Sequence, residues 1–397
     1  MRLASLGPVL ALMGLTLAAS PAFAGDVVTI HEGHEARRPA IARDEKGALH
    51  LAYSSYDKGS PVPGIFHAAS FDGGKTWEPG VNISRTGGIA SDPAIACGKG
   101  QHIVIVWLDT TPGMERPDIY GTFSSDGGKT WEAPVDVSLT PGKSMEPSVA
   151  IAPDGTVHVV WADTTDSDKG PEIWHALSTD KGATWSTATN ISHSLGNAWH
   201  PRVACGPKNE VHVCWADRLS GHSMPDIFFS TSTDGGKTFS KLLDVSNTRG
   251  LSTDPDLAVD DSGTLYLVWA ETPSRSSGRW DILFTLSRDG GTSWEKNREM
   301  GPTGGRSSQP AVSAREGAVA VVWRDKTGHE TNPEICIALS SDGGKSFAEP
   351  KDISMTLGAS RHPALEISGG RAHVVWEERD KGLSSLRFVS VPVGKSH

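Results

Sequence analysis

The sequence contains no run of basic residues, and its formal net charge is −10. Nucleic acid is held mainly by lysine and arginine, so this balance opposes nucleic-acid binding. After residue 24 no segment approaches the roughly 20 apolar residues of a membrane helix, and membrane insertion is not expected. P-loop, dinucleotide-binding and G-x-S-x-G motifs are absent too. We therefore expect no cofactor.

Cysteine is scarce, with four residues: Cys97, Cys205, Cys214 and Cys336. An exported protein could join them in two disulfides, but each occupies a slot that apolar residues fill elsewhere in the chain. Cysteine in such a slot behaves as a small hydrophobic residue, so buried free thiols are favoured.

The first 24 residues, MRLASLGPVLALMGLTLAASPAFA, have the pattern of a cleavable secretory signal. An early arginine precedes an apolar run, and small residues stand at Ala22 and Ala24. No cysteine lies at a lipoprotein cleavage position. We expect a periplasmic or secreted protein whose single mature domain spans residues 25–397.

Helix-period patterns are also lacking, whereas 44 glycines and 25 prolines indicate many turns. A motif of the type SSDGGKTW recurs six times, and its aspartates are 54, 54, 54, 55 and 53 residues apart: Asp72, Asp126, Asp180, Asp234, Asp289 and Asp342. Each period contains four short apolar or alternating segments. This pattern predicts tandem four-stranded antiparallel sheets.

A proline opens the first strand of each unit and occurs seven times: Pro39, Pro93, Pro147, Pro201, Pro255, Pro310 and Pro363. The seventh unit ends before its fourth strand, while DVVTI near the mature N-terminus matches fourth strands elsewhere. The sequence therefore predicts an all-β, seven-bladed β-propeller of four-stranded antiparallel blades, whose last blade is closed by the N-terminal strand.

The repeated motif itself is expected to be structural. Its aspartate and Ser/Thr can bond the amides of a tight turn, its glycines adopt turn angles, and its aromatic residue supplies an apolar plug. It should lock the hairpin between the third and fourth strands.

These residues resemble the Asp-box (BNR) repeat of sialidase-like proteins, and the resemblance covers essentially the whole mature chain. It implies the propeller fold. It says less about function, because such propellers include sialidases, other glycosidases, assembly factors and non-catalytic binding proteins.

Function should lie on the face opposite the Asp-boxes, where carboxylates recur at the ends of second strands and the starts of third strands. Recurrence in every blade indicates that these cap loops. The residue before each opening proline differs between blades and should rim the central channel: Arg38, Asp92, Glu146, His200, Asp254, Gln309 and His362. Such a set would suit a cationic ligand, a metal or acid–base chemistry, or would be only a solvated polar rim.

Two tryptophans depart from the repeat. Trp199 and Trp280 fall in face loops of the adjacent fourth and fifth blades. An aromatic ring there could stack on a sugar or pack a loop. Both alternatives stay open at this point.

A sialidase resemblance implies an arginine triad, an acid/base aspartate and a tyrosine nucleophile. Arg37 stands at the motif arginine, Asp57 is in about the right region for the acid/base, and Arg202 and Arg361 would complete the triad. Departures are clear, because none of the four tyrosines is placed as the nucleophile and sialidases generally have six blades.

The sequence thus favours a ligand-recognition propeller that binds a glycan or another small polar ligand, with an exo-acting glycoside hydrolase of sialidase type as the alternative. The predicted ligand-binding residues are Asp92, Glu146, Trp199, His200, Asp254, Trp280 and His362. No metal site is expected, since HEGHE at 31–35 lacks the i, i+4 histidine spacing of a helical zinc motif. A monomer is expected.

Overall fold

The computed structural model describes residues 26–31, 35–166, 170–194, 197–219, 223–274, 277–301, 305–326, 332–356 and 358–394. The predicted signal peptide lies outside these residues, as does most of the HEGHE segment.

The described chain forms 28 strands, four to each of seven sheets. The innermost strands are β2 (Arg37–Arg43), β6 (Ala90–Cys97), β10 (Ser144–Ile151), β14 (Ala198–Cys205), β18 (Leu251–Val259), β22 (Ser307–Arg315) and β26 (Ala359–Ser368). The second strands are β3 (Leu49–Tyr56), β7 (Ile103–Asp109), β11 (Val157–Asp163), β15 (Val211–Asp217), β19 (Leu265–Thr272), β23 (Ala318–Asp325) and β27 (Arg371–Asp380). The third strands are β4 (Pro63–Ser70), β8 (Asp118–Ser124), β12 (Glu172–Ser178), β16 (Asp226–Ser232), β20 (Asp281–Ser287), β24 (Glu334–Ser340) and β28 (Leu383–Pro392). The outermost strands are β1 (Val28–His31), β5 (Val81–Asn82), β9 (Val135–Asp136), β13 (Thr189–Asn190), β17 (Leu243–Asp244), β21 (Arg298–Glu299) and β25 (Lys351–Asp352).

Six sheets are built from four consecutive strands, and the seventh joins the two ends of the described chain. Its strand order is β1-β28-β27-β26, with Val28 opposite Phe388 and Thr29 opposite Arg387. The predicted seven-bladed propeller and its closure by the N-terminal strand are both confirmed. We number the blades 1 to 7 in the order of their innermost strands, so that β26 belongs to blade 7.

The Asp-box locks the hairpin between the third and fourth strands, as predicted. In blade 2, Asp126 Oδ1 accepts bonds from the Ser124 hydroxyl at 2.8 Å and the Thr130 amide at 2.9 Å, and its Oδ2 accepts the Thr130 hydroxyl at 2.7 Å. The intervening Gly127 and Gly128 have φ of 75° and 85°, angles that favour glycine. Hydrogen bonds from Thr130 lower the pKa of Asp126 to about 2.

The carboxylates at the ends of the second strands also have a structural role. Trp161 Nε1 donates to Asp163 Oδ2 at 2.9 Å, and both residues are fully buried. The hydroxyls of Thr140 and Ser144 donate to the same oxygen. Equivalent tryptophan–carboxylate bonds join Trp107 to Asp109, Trp215 to Asp217, Trp269 to Glu271, Trp323 to Asp325 and Trp376 to Glu378.

The hydrophobic core is divided among the interfaces between neighbouring blades. One cluster joins Val160 and Ile173 of blade 3 to Val203, Val213 and Trp215 of blade 4. Each blade thus buries its face against the next, and closure of the ring buries the faces of the first and last blades as well.

Two of these interfaces contain buried histidine pairs. His50 Nδ1 lies 3.1 Å from His67 Nε2, and the His67 ring packs 4.9 Å from Trp131 of the next blade's Asp-box. In blade 3, His158 Nδ1 lies 3.1 Å from His175 Nε2. Neutral imidazoles suit these buried sites, because a charged ring would lose its hydration there.

The four cysteines are free, as expected from their slots. Cys214 is buried and the other three are partly buried. Burial raises the pKa of Cys205 and of Cys336 to about 12, so both remain thiols at neutral pH.

Candidate functional site

Each innermost strand carries a bulge at its predicted rim residue. In blade 3 the register shifts between Met145 and Ser148, which places Glu146 and the following proline in the bulge. All seven rim residues have φ between 48° and 55°, in the left-handed region that non-glycine residues rarely adopt: Arg38, Asp92, Glu146, His200, Asp254, Gln309 and His362. The bulge re-aims each side chain away from the pleat of its strand.

The seven bulges surround a cavity at the mouth of the central channel. Its volume is about 480 Å³, and all seven rim residues line it. Arg202 and Asp256 also line it from two positions further along their strands, whereas Ala40, Ala94 and Ala364 occupy the corresponding positions of blades 1, 2 and 7. The predicted convergence of the rim residues on one mouth is therefore present in the fold.

His200 is held between two carboxylates of neighbouring blades. Its Nε2 lies 3.3 Å from Glu146 Oε1, and its Nδ1 lies 3.0 Å from Asp254 Oδ1. Its backbone N–H also donates to Glu146 Oε2 at 2.7 Å. Burial by itself would lower the pKa of His200, but the hydrogen bond and charge of Glu146, together with the charge of Asp254, raise it. Both ring nitrogens of His200 are therefore occupied, and the ring bridges blades 3, 4 and 5.

The two arginines of the mouth are already paired. Arg38 bonds Asp92 of the next blade. Arg202 Nε lies 3.3 Å from Asp256 Oδ1, and Asp256 Oδ2 accepts the Val312 amide at 2.8 Å. These contacts leave the guanidinium groups partly neutralised in advance of any ligand.

His362 has a different environment from His200. Its Nδ1 lies 3.2 Å from Glu377 Oε2, and its backbone N–H donates to Gln309 Oε1 at 3.1 Å. The carboxylate of Glu377 comes from the second strand of the same blade. No described residue forms a hydrogen bond with Nε2 of His362.

Both predicted face tryptophans lie away from the cavity lining. Trp199 packs against the apolar cluster between blades 4 and 5, and Trp280 against that between blades 5 and 6. The Trp280 backbone also bonds Gly305 and Ser307. Loop and interface packing therefore accounts for their positions.

Three of the four residues implied by the sialidase resemblance also lie outside the cavity lining. Arg37 pairs with Glu35 at 2.6 Å, and Asp57 accepts a bond from Asn82 at the outer edge of blade 1. Arg361 lies in β26 opposite Glu377, and its Nε is buried without a hydrogen-bond partner. Only Arg202 is among the lining residues.

Asp256 and Glu377 were not among the predicted site residues. Asp256 lies two residues after a rim residue, so the two-residue period of a strand directs it toward the same channel. Glu377 occurs in VVWEERD, beside the acidic residue that recurs at the end of each second strand. Nothing in the sequence distinguishes it from those recurrent carboxylates.

Among the described residues no group of three or more His, Cys, Asp or Glu side chains is arranged to hold a metal ion. The same part of the chain contains no helix long and apolar enough to cross a membrane.

Comparison with known proteins confirms the Asp-box resemblance. The model of a BNR repeat-like domain matches residues 209–388. A curated sialidase from Bacteroides fragilis is 24% identical over 312 residues, covering 66% of this chain and 55% of that protein. The chain thus spans about half the length of this curated relative.

Solved structures share the fold at low sequence identity. An ulvan lyase, a polysaccharide lyase, has a TM-score of 0.67 at 11% identity, covering 92% of this chain and 96% of its own. A protein of unknown function from Dyadobacter fermentans has a TM-score of 0.57 at 15% identity, with 93% and 98% covered. Residues 209–388 thus resemble a BNR repeat-like domain, and the likeness to solved structures extends to the propeller fold alone.

Proposed function

We propose that the protein is a ligand-recognition propeller that binds a glycan or another small polar ligand at the channel mouth. The observation that carries this proposal is the ring of seven rim residues. Their backbone is the same strained bulge in every blade, yet their side chains differ from blade to blade. The backbone of the rim repeats from blade to blade, whereas its polar side chains do not. Recognition of an asymmetric ligand explains this better than a structural role would.

The charges of the lining indicate the kind of ligand. Four carboxylates outnumber two guanidinium groups, and His200 adds one positive charge when protonated. The mouth is therefore acidic overall. Neutral or amine-bearing sugars fit this field, whereas anionic sugars would meet repulsion.

The alternative is an exo-acting glycoside hydrolase of sialidase type, and the curated Bacteroides fragilis relative favours it. The cavity offers little support for that chemistry. Arg202 is already paired with Asp256, and Arg37 and Arg361 lie outside the lining. No tyrosine of the described chain lines the cavity, so the nucleophile implied by the resemblance has no candidate there.

The recognition proposal is tested by screening the purified protein against neutral, amino and acidic oligosaccharides and divalent metal ions by calorimetry. We expect binding to neutral or amino sugars. The triple variant Asp92→Asn, Glu146→Gln, Asp254→Asn should change affinity by about tenfold or more, because three charged acceptors of the mouth are lost.

The same triple variant should melt close to the wild type, since ion pairs of partly exposed groups contribute only about 0–1 kcal/mol each. A triple variant that binds the identified ligand as tightly as the wild type would show that the ligand does not bind at the channel mouth. Replacement of Glu115, an exposed surface residue outside the lining, by Gln serves as the control.

The sialidase alternative is tested with chromogenic sialosides. If it holds, the wild type releases the chromophore and Arg37→Ala abolishes release, because the substrate carboxylate loses a charge-assisted partner. We expect no turnover by the wild type. Turnover that depends on Arg37 would show that the protein is a hydrolase of sialidase type and would contradict the recognition proposal.

A further inference from the structure

One histidine of the channel mouth contacts a carboxylate through only one of its two ring nitrogens. His362 lines the cavity with 30% of its side chain exposed, and its Nδ1 lies 3.2 Å from Oε2 of Glu377, whose side chain is only 7% exposed. The nearly buried carboxylate of Glu377 thus engages Nδ1. Among the described residues Nε2 has no hydrogen-bond partner, and it belongs to a side chain that lines the cavity.

Glu377 is fixed by further donors. The Ser384 hydroxyl donates to its Oε1 at 3.2 Å, and the backbone amide of Arg38 also bonds the carboxylate. Burial by itself would raise the pKa of Glu377, but the bond to His362 and these donors lower it. An ionised carboxylate only accepts hydrogen bonds, so Nδ1 of His362 is the donor to Glu377, and Nε2 is the ring nitrogen without a hydrogen-bond partner among the described residues.

The histidine backbone is constrained as well. Its φ is 48°, and its N–H donates to the Gln309 side chain of the preceding blade. A ring fixed by Glu377 on one side and by its bulge on the other keeps Nε2 in one direction without a ligand. Such preorganisation is what an acid–base group requires.

His200 provides an internal comparison, because it occupies the same slot in blade 4. Its two nitrogens lie 3.3 Å from Glu146 and 3.0 Å from Asp254, so neither has a free lone pair. Equivalent backbone positions therefore hold one histidine between two carboxylates and the other with a carboxylate at only one of its ring nitrogens.

We propose that His362, positioned by Glu377, is a general base that removes a proton from a water molecule beside a glycan bound at the mouth. This inference rests on the proposed function, since it requires a ligand in the same cavity. The proton passes from the water to Nε2, and the water oxygen bonds to the anomeric carbon of the glycan as the bond from that carbon to the glycosidic oxygen breaks. The departing oxygen takes a proton from solvent, and Glu377 stabilises the imidazolium formed at His362.

The availability of Nε2 is tested with diethyl pyrocarbonate, which acylates neutral imidazole nitrogens, followed by peptide mass mapping at neutral pH. We expect His362 to react faster than His200 in the wild type. In Glu377→Gln the reaction at His362 should be slower, because the carboxylate no longer increases the electron density of the ring. Equal protection of both histidines would overturn the proposal.

Catalysis is tested by incubating the protein with every glycan that binds in the screen and measuring the new reducing ends that hydrolysis produces. His362→Gln should lower kcat by about 10²-fold or more, with ligand affinity changed much less. Glutamine is the matched replacement, because Gln309 occupies this bulge in blade 6.

His362→Ala should regain part of its activity when free imidazole is added, an effect that loss of structure would not produce. Full activity in His362→Gln, or an absence of turnover on every bound glycan, would overturn the general base. The second outcome would leave ligand recognition intact, whereas an absence of any binding would contradict the proposed function itself.

Discussion

Deletion of residues 26–32 is expected to destabilise the propeller more than any other truncation of similar length. Strand β1 covers the edge of β28, and Val28 and Ile30 pack against the cluster between blades 7 and 1. Loss of two partly buried aliphatic side chains and several strand hydrogen bonds should cost about 5 kcal/mol. The melting temperature should fall by about 6 °C.

The matched control is a chain ending at Val393, which removes four residues beyond β28 and leaves every strand intact. Its melting temperature should stay close to that of the full chain. The deletion variant should also associate at high concentration, because β28 becomes an exposed edge. Equal melting temperatures for the two truncations would contradict closure by the N-terminal strand.

Replacement of both His67 and His175 by Phe is expected to make the protein more resistant to acid. Burial, with a smaller effect of the neighbouring His50 or His158 charge, lowers the pKa of each to about 3. In the unfolded chain these groups titrate near 6.5, so the unfolded state binds more protons below that pH. The stability from the neutral rings is complete above pH 6.5 and is lost as the pH falls toward 3.

Each histidine should therefore cost about 2–3 kcal/mol at pH 4.5 relative to pH 7.5. Phenylalanine is the matched replacement, because Phe229, Phe284 and Phe388 fill this slot in blades 4, 5 and 7. Urea unfolding at the two pH values measures the difference. A double variant that loses as much stability on acidification as the wild type would show that these histidines are not the acid-sensitive groups.

The candidate site was only partly predictable. The position of the rim residues followed from the proline in each repeat, since the order of strands fixes which end of each blade faces the axis. Their ion pairs did not follow, because Glu146, His200 and Asp254 belong to three blades and meet only when those blades are packed side by side. Trp199 and Trp280 were ambiguous because an aromatic residue in a loop suits either a ligand or an interface.

The sequence by itself determined the propeller, its seven blades and the sharing of one blade between the two ends of the described chain. A repeat of about 54 residues, with an Asp-box hairpin in six of the seven units, leaves few other ways to bury every sheet face. Only the tertiary structure decided that His200 is a bridge and His362 an oriented ring. Both occupy the same position of the repeat and have similar φ angles, so their difference comes from the side chains that packing brings beside them: Asp254 on an adjacent blade for His200, and Glu377 on the adjoining strand for His362.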